Sequence, residues 1–162
     1  MRRVYCDIRK CLSCHSCEIA CAVQHSESRD LFRALAQEPR PKRLVRVKGS
    51  GVGAFPLRCH HCEEAPCIDA CKTGATQHDP TTGKVLIDKD NCVGCWMCVM
   101  VCPFGAVVPN MEAGKALKCD LCEDHDEPAC VASCPSRALY FEEFEDFQEQ
   151  YKKANIRELT LK

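Results

Sequence analysis

The sequence has no apolar run near the roughly 20 residues that a membrane-spanning helix requires, so we expect no direct membrane insertion. Its first residues lead from Met1 and Cys6 into the charged Asp7, Arg9 and Lys10, without the apolar stretch of a secretory signal. We therefore expect a cytoplasmic protein. Neither sign of charge is in excess, and a formal net charge of −1 gives no reason to expect a nucleic-acid partner.

Cysteine, in contrast, is abundant, with 17 among 162 residues. A cysteine fraction of this size is typical of either a disulfide scaffold or a metal protein. Disulfides persist in oxidising compartments, whereas the cytoplasm keeps thiols reduced. The clustered cysteines of this chain therefore predict metal binding.

Sixteen of the cysteines fall into four sets of four, which their spacing defines. The first and third sets have the C-x2-C-x2-C-x3-C spacing of bacterial ferredoxins, and the second and fourth have a longer interval before the third cysteine. The four sets are, in order, Cys11, Cys14, Cys17 and Cys21; Cys59, Cys62, Cys67 and Cys71; Cys92, Cys95, Cys98 and Cys102; and Cys119, Cys122, Cys130 and Cys134. Cys6 lies outside every set, and we expect a small buried hydrophobic residue there.

This spacing indicates 4Fe-4S clusters. Three cysteines in a tight loop reach three corners of the cubane, and the fourth corner needs a cysteine from elsewhere. In two-cluster ferredoxins the fourth cysteine of each run binds the other cluster, so four sets predict four clusters in two pairs. Structural zinc is the alternative, but it uses two separated C-x2-C pairs and needs no third thiolate in one loop. Each oxidised cluster with its thiolates carries a charge of roughly −2, which N–H groups and basic side chains have to offset.

A recurring phrase follows three of the sets, at residues 73–76, 104–107 and 136–139. It predicts a short helix carrying the last cysteine and then a turn into a strand. We expect one hairpin over residues 75–88, turning at Asp79–Gly83, and a second over residues 107–117, turning at Glu112–Gly114. The fold class is therefore α+β, with short helices, β-hairpins and a small apolar core that the clusters help to stabilise.

The longest stretch without a ligand cysteine, residues 22–58, has a different character. The sequence predicts a helix from Cys17 to about Gln37. Residues 42–48 alternate as in an exposed strand with a basic face. That strand is either a solvated edge or a docking surface for an acidic partner.

The C-terminal residues 142–153 are polar and typical of a helix. Phe144, Phe147 and Tyr151 recur at helical spacing. We expect this aromatic stripe to pack onto the protein's own surface, and a helix offered to a partner is the alternative.

Nothing in the sequence indicates a nucleotide or flavin. Residues 49–54 match the G-x-G-x-x-A fingerprint, but Phe55 and Pro56 follow where a helix would have to begin. The histidines form no metal set. We expect His60 and His61 to be exposed loop residues, with tuning of the neighbouring cluster as the alternative. We find no candidate nucleophile, general base or open metal position, so we expect no catalysis by this chain.

Three phrases carry a resemblance to a known family: CEIACAVQHS at residues 17–26, FPLRCHHCEEAPC at 55–67 and CVGCWMCVMVCPFGA at 92–106. From about Tyr5 to Phe141 the chain resembles the four-cluster polyferredoxin subunits of the dimethyl sulfoxide reductase beta-subunit type. Within that group it looks most like the ferredoxin-like protein of carbon monoxide dehydrogenase and the small subunits of hydrogenases and formate dehydrogenases.

The resemblance implies two bacterial-ferredoxin-like modules related by a pseudo-twofold within residues 1–141. The first and fourth sets form one half and the second and third sets the other, with residues 22–58 as an insertion and 142–162 as a C-terminal helix and tail. The implied ligand sets are Cys11, Cys14, Cys17 and Cys134 for cluster 1; Cys119, Cys122, Cys130 and Cys21 for cluster 2; Cys59, Cys62, Cys67 and Cys102 for cluster 3; and Cys92, Cys95, Cys98 and Cys71 for cluster 4.

The resemblance also implies a function. The chain would relay single electrons between a catalytic redox enzyme and a second donor or acceptor, as part of a hetero-oligomer. Carbon monoxide dehydrogenase is the favoured partner, followed by tungsten aldehyde oxidoreductase, formate dehydrogenase and hydrogenase. Two alternatives stay open: a cluster-stabilised scaffold subunit of a redox complex, and an enzyme that uses a labile cluster iron.

Overall fold

Short helices and two-stranded antiparallel ribbons make up the described part of the chain. The computed structural model describes residues 1–51 and 53–160, with side chains up to residue 153. Its elements are β1 (Arg3–Cys6), α1 (Ser16–Gln24), α2 (Leu31–Ala36), β2 (Arg46–Lys48), β3 (Phe55–Leu57), α3 (Pro66–Asp69), β4 (Thr76–His78), β5 (Val85–Ile87), α4 (Met97–Val101), β6 (Val108–Asn110), β7 (Lys115–Leu117), α5 (Ala129–Ala132), β8 (Leu139–Glu142) and α6 (Phe144–Thr160).

Each described strand pairs with one antiparallel partner, which gives four two-stranded ribbons. Three ribbons join neighbours in sequence: β2 with β3, β4 with β5, and β6 with β7. The fourth joins β1 to β8 across the length of the chain, with Arg3 opposite Glu142 and Cys6 opposite Leu139. The predicted α+β class is confirmed at this level of short helices and small antiparallel hairpins.

Both predicted hairpins are present. In the first, the carboxylate of Asp79 accepts a hydrogen bond from the N–H of Thr81 at 3.1 Å, and Gly83 closes the turn with a 2.8 Å bond to the Asp79 carbonyl. In the second, β6 and β7 pair from Val108 opposite Leu117 to Asn110 opposite Lys115. Polar turn residues between short apolar runs account for both.

The predicted continuous helix from Cys17 to Gln37 is wrong. The chain leaves the helical path after α1, where the hydroxyl of Ser26 donates to the Val23 carbonyl and accepts from the N–H of Arg29. Asp30 then caps a new helix by accepting from the N–H of Arg33 at 3.0 Å. Side-chain hydrogen bonds to the backbone thus compete with the helix and divide it in two.

The predicted basic strand is shorter than expected. Only Arg46–Lys48 form a strand, and Leu44 and Val45 before it are buried in the core. The segment after it turns back into β3, so a loop connects two paired strands and no helix follows the glycine-rich stretch.

Two small apolar clusters hold the elements together. One contains Val4, Leu44, Val45 and Leu139 together with cysteines of the first and fourth sets. The other is built of small residues and cysteines of the second and third sets. In the first cluster α1 packs against α5, and in the second α3 packs against α4.

The C-terminal helix α6 lies on the β1–β8 ribbon, as expected. The Phe147 ring stacks on Tyr5 with centroids 4.9 Å apart, and it contacts Tyr140 and Tyr151. The aromatic stripe therefore packs onto the protein's own surface. In the part of the chain that the structure describes, no helix is both long and apolar enough to cross a membrane.

Candidate iron-sulfur centres

The four cysteine loops share a backbone conformation. The residue before the second cysteine of each set has a positive φ: Ser13 (53°), His61 (48°), Gly94 (68°) and Leu121 (63°). Three of these four are not glycine, and non-glycine residues rarely adopt this conformation. Left-handed residues in a tight loop turn successive N–H groups inward, which suits an anionic group.

The first and third sets are alike in a further respect. His15 and Trp96, each directly after the second cysteine, are also left-handed and immediately precede α1 and α4. The third and fourth cysteines of these sets therefore lie on or at the end of a helix that leads away from the loop. This is the local geometry that the x3 spacing predicts.

The last cysteine of every set accepts a hydrogen bond from a backbone N–H group. The bonds are Leu44 N to Cys21 Sγ at 3.2 Å, Thr76 N to Cys71 Sγ at 3.3 Å, Ala106 N to Cys102 Sγ at 3.4 Å, and Ala138 N to Cys134 Sγ at 3.3 Å. Such donors stabilise a sulfur ligand and raise cluster potentials. Three of the donors belong to the recurring phrase, for which the sequence predicted a turn into a strand but no hydrogen bond to sulfur.

The structure brings cysteines of different sets together. A small cavity is lined by Cys11, Cys14, Cys17 and Cys134, with Cys6 beside them. A second small cavity is lined by Cys59, Cys62, Cys67 and Cys102. Each cavity thus combines three cysteines of one set with the last cysteine of another.

The remaining predicted ligands also meet across sets. Cys21 and Cys130 lie in one buried cluster with Cys119 packed against it, and Cys21 also acts on the pKa of Cys122. Cys92 and Cys98 lie in the other, with Cys71 packed against them. Among the residues that the structure describes, no three or more His, Cys, Asp or Glu side chains are arranged around a point that suits a single metal ion.

Burial dominates the electrostatics of the inner thiols. It raises the pKa of Cys17 to about 11 and that of Cys130 to about 12. Cys14 is exposed, and the hydroxyl and N–H of Ser16 lower its pKa. Buried thiols that are protonated in the unloaded protein have to release protons when they bind a metal group, so loading is coupled to pH.

A histidine and an aspartate connect the first and fourth sets. The Nε2 atom of His25, at the end of α1, lies 3.2 Å from the Asp120 carboxylate between Cys119 and Cys122. Burial opposes protonation of His25, but hydrogen bonds to Asp120 and Cys21 outweigh it and raise its pKa to about 11. Sequence reasoning missed this link, because only the fold makes the two residues neighbours.

The expectation for the paired loop histidines is half wrong. His60 is exposed and contacts the Phe104 ring at 4.3 Å between centroids. His61 is 1% exposed, and its Nδ1 accepts from the N–H of Val85 at 3.1 Å. Burial and the charge of Lys118 lower the pKa of His61 to about 3, so its ring is neutral.

Comparison with known proteins identifies the group. A family model described as a 4Fe-4S dicluster domain matches residues 52–144, more than half of the chain and the part that holds the second, third and fourth cysteine sets. The chain belongs to the 4Fe-4S dicluster family. It is therefore an iron-sulfur protein, and its cysteine loops fit the cofactor of that family.

Relatives of this iron-sulfur protein are similar to it over most of their length. An iron-sulfur protein of Rhodospirillum rubrum is 39% identical, over 97% of this chain and 90% of the relative. The electron transport protein HydN of Escherichia coli is 37% identical, over 85% and 86%. The thiosulfate reductase electron transfer subunit PhsB of Salmonella typhi is 34% identical, over 89% and 77%.

Proposed function

We propose that this chain is a non-catalytic electron-transfer protein that holds four 4Fe-4S clusters and passes single electrons between a catalytic redox enzyme and a second donor or acceptor. One observation carries the proposal. The two cavities each gather three cysteines of one set and the last cysteine of a distant set, which is the exchange of ligands found in two-cluster ferredoxins. The clusters supply one-electron redox chemistry when bound.

The proposed ligand sets follow this exchange. The cavities support Cys11, Cys14, Cys17 and Cys134 for cluster 1 and Cys59, Cys62, Cys67 and Cys102 for cluster 3. For cluster 2 (Cys119, Cys122, Cys130 and Cys21), the support is the packing of Cys21, Cys130 and Cys119 and the effect of Cys21 on the pKa of Cys122. For cluster 4 (Cys92, Cys95, Cys98 and Cys71), it is the packing of Cys92, Cys98 and Cys71 and the effect of Cys95 on the pKa of Cys98. The role of Cys6 in cluster 1 is that of an apolar neighbour.

We further propose two ferredoxin-like halves within residues 1–141. The packing of α1 on α5 and the β1–β8 ribbon support the outer half, which is built from the first and fourth sets. The packing of α3 on α4 supports the inner half. The left-handed residues shared by all four loops support a pseudo-twofold relation between the halves.

The surface favours electron exchange at clusters 1 and 4. Cys14 and Cys95 are the exposed ligand cysteines of the chain. Leu12 and Val93, each directly after the first cysteine of its set, are both 68% exposed. Apolar side chains around an accessible ligand are typical of a surface that a partner protein covers.

Carbon monoxide dehydrogenase is the first partner to test, on the sequence resemblance, followed by tungsten aldehyde oxidoreductase, formate dehydrogenase and hydrogenase. The relatives named HydN and PhsB support the more general role, because both names specify electron transport or transfer. We propose a cytoplasmic hetero-oligomer, since reduced thiols assemble clusters there.

Metal analysis of anaerobically prepared protein tests the cofactor. Four cubanes require roughly sixteen irons and sixteen sulfides per chain. About four tightly held zinc ions without visible absorbance would refute the proposal. Clusters that fail to titrate with dithionite would instead favour a scaffold subunit.

Electron paramagnetic resonance on single variants tests the exchange of ligands. Cys21→Ser should alter the same signal as Cys119→Ser and leave the signal sensitive to Cys14→Ser intact. If Cys21→Ser matches Cys14→Ser, each set closes on its own cluster and the paired arrangement is wrong.

A further inference from the structure

Two basic side chains are buried in this protein. Arg58 and Lys118 are each only 6% exposed, and among the described residues no other lysine or arginine is buried. They occupy equivalent positions in the sequence, directly before the first cysteines of the second and fourth sets, Cys59 and Cys119. Their burial therefore calls for a physical explanation.

Neither cation has a carboxylate partner in the described part of the chain. An Nη1 hydrogen of Arg58 is donated to the Pro56 carbonyl at 3.2 Å, and Nζ of Lys118 donates to the Val85 carbonyl at 2.5 Å. A neutral carbonyl does not balance a buried charge, and an unpaired buried charge is strongly destabilising. The anionic counterpart has to come from other groups that face these side chains.

The groups that face Arg58 are thiols of the outer half. Burial lowers its pKa, and the groups that oppose this effect are, in order of strength, Cys130, Cys119, Cys6 and Cys17. The two strongest belong to the proposed cluster 2. Pro56, to which Arg58 donates, lines the cavity of Cys6 and Cys17 in the same half, so the hydrogen bond places the guanidinium there too. Arg58 therefore adjoins cluster 3 along the chain and faces cluster 2 in space.

Lys118 has the reverse placement. It lines the cavity formed by Cys59, Cys62, Cys67 and Cys102, the proposed site of cluster 3. Burial raises the pKa of Cys67, and the charge of Lys118 is the main effect that lowers it. Lys118 therefore adjoins cluster 2 along the chain and faces cluster 3 in space.

We propose that Arg58 and Lys118 are a reciprocal pair of positioning residues that raise the reduction potentials of clusters 2 and 3, the two clusters at the junction between the halves. The inference rests on the proposed four-cluster function. A cluster gains one negative charge when it takes an electron from a partner, and a buried cation stabilises the reduced form more than the oxidised form. Each half thus supplies the cation that makes the junction cluster of the other half easier to reduce.

A redox titration of the assembled protein, monitored by electron paramagnetic resonance, tests the role of Arg58 and Lys118. Arg58→Gln should reduce the equilibrium constant for reduction of cluster 2 about tenfold, which is about 59 mV for one electron. Lys118→Gln should do the same to cluster 3. The signals are assigned by the cysteine variants described above.

The matched control is Lys72→Gln. Lys72 also adjoins a ligand, Cys71, but it is exposed, so solvent screens its charge. The Lys72→Gln variant should change the equilibrium constant for reduction of each cluster less than about twofold. If both buried variants shift the potentials no more than this control, the proposal is wrong.

Iron content separates this inference from the function on which it rests. A wild-type protein with fewer than four clusters contradicts the proposed function, whereas four clusters with unshifted potentials contradict only the role of the cations. If the glutamine variants fail to assemble clusters, Arg58→Lys and Lys118→Arg decide. They keep the charge and should keep the wild-type potentials, and potentials that change despite the retained charge would overturn the proposal.

Discussion

Gly94 provides a sharp test of how the third cysteine loop is supported. Its φ is +68°, and a Cβ atom there would lie 2.3 Å from the carbonyl oxygen of Gly114, in the turn between β6 and β7. An ordinary contact begins at 3.4 Å, so the turn would have to move by about 1.1 Å. Gly105 is the matched control, because its φ is +60° and a Cβ atom would meet nothing within 4 Å.

The two alanine variants should therefore differ by the steric overlap alone. The left-handed backbone costs an alanine about 1 to 2 kcal/mol at either position. Overpacking adds about 1 to 3 kcal/mol in Gly94→Ala only. Because loss of clusters is irreversible, the useful measurement is a rate. Gly94→Ala should bleach in guanidinium roughly 5 to 160 times faster than Gly105→Ala.

The assay is anaerobic, with visible absorbance for the rate and iron content measured before denaturant is added. Both variants should begin with the wild-type iron content. Equal bleaching rates for Gly94→Ala and Gly105→Ala would show that the β6–β7 turn does not press on the cysteine loop and would refute the reasoning.

Three further predictions concern the outer half and the surface. Cys6→Ala should leave the iron content unchanged while Cys14→Ser removes or converts one cluster, and loss of a cluster in Cys6→Ala would contradict our assignment. Asp7→Asn removes the negative charge beside Arg9 and the oxygen that accepts from its Nη2 at 3.0 Å, leaving one oxygen for the 3.0 Å bond from Nε, and should destabilise the protein by about 1 to 3 kcal/mol. The hydrogen bond from Arg9 holds the pKa of Asp7 below its ordinary 3.8. The stabilisation of the folded protein by the Asp7 carboxylate is therefore present above pH 3.8 and is lost as the pH falls below it. The bleaching rates of Asp7→Asn and wild type should converge in acid. Met100→Glu, at a side chain that is 79% exposed on the helix that follows Cys95, should slow electron exchange with the proposed partner, carbon monoxide dehydrogenase, in stopped flow without changing iron content, and an unchanged rate would exclude this face as the docking site.

The features that depend on residues close together in the sequence were predictable. Cysteine spacing marked the four loops, because a cubane needs ligands at fixed intervals. The turns at Asp79–Gly83 and Glu112–Gly114 were predictable because polar and glycine residues interrupt short apolar runs. The aromatic stripe on α6 was predictable from its helical spacing.

What the sequence did not show depends on contacts between distant residues. The burial of His61 follows from Val85, which lies 24 residues further along and donates to its ring. Arg58 and Lys118 share a position directly before a first cysteine, but a position in the sequence does not show that the side chain is buried. The break after α1 had a local signal in Ser26 and Asp30, but a helical pattern on both sides concealed it.

The β1–β8 ribbon determines an order of events during synthesis. It pairs Arg3 with Glu142, whereas the three hairpins and the α3–α4 contact between them are complete once residue 117 has emerged. Chains emerge from their N-terminal end, and distant segments are slow to meet. Among the four cysteine loops, we therefore expect the first to be enclosed last. Such an order would leave its thiols open to oxidants and foreign metals for the longest time.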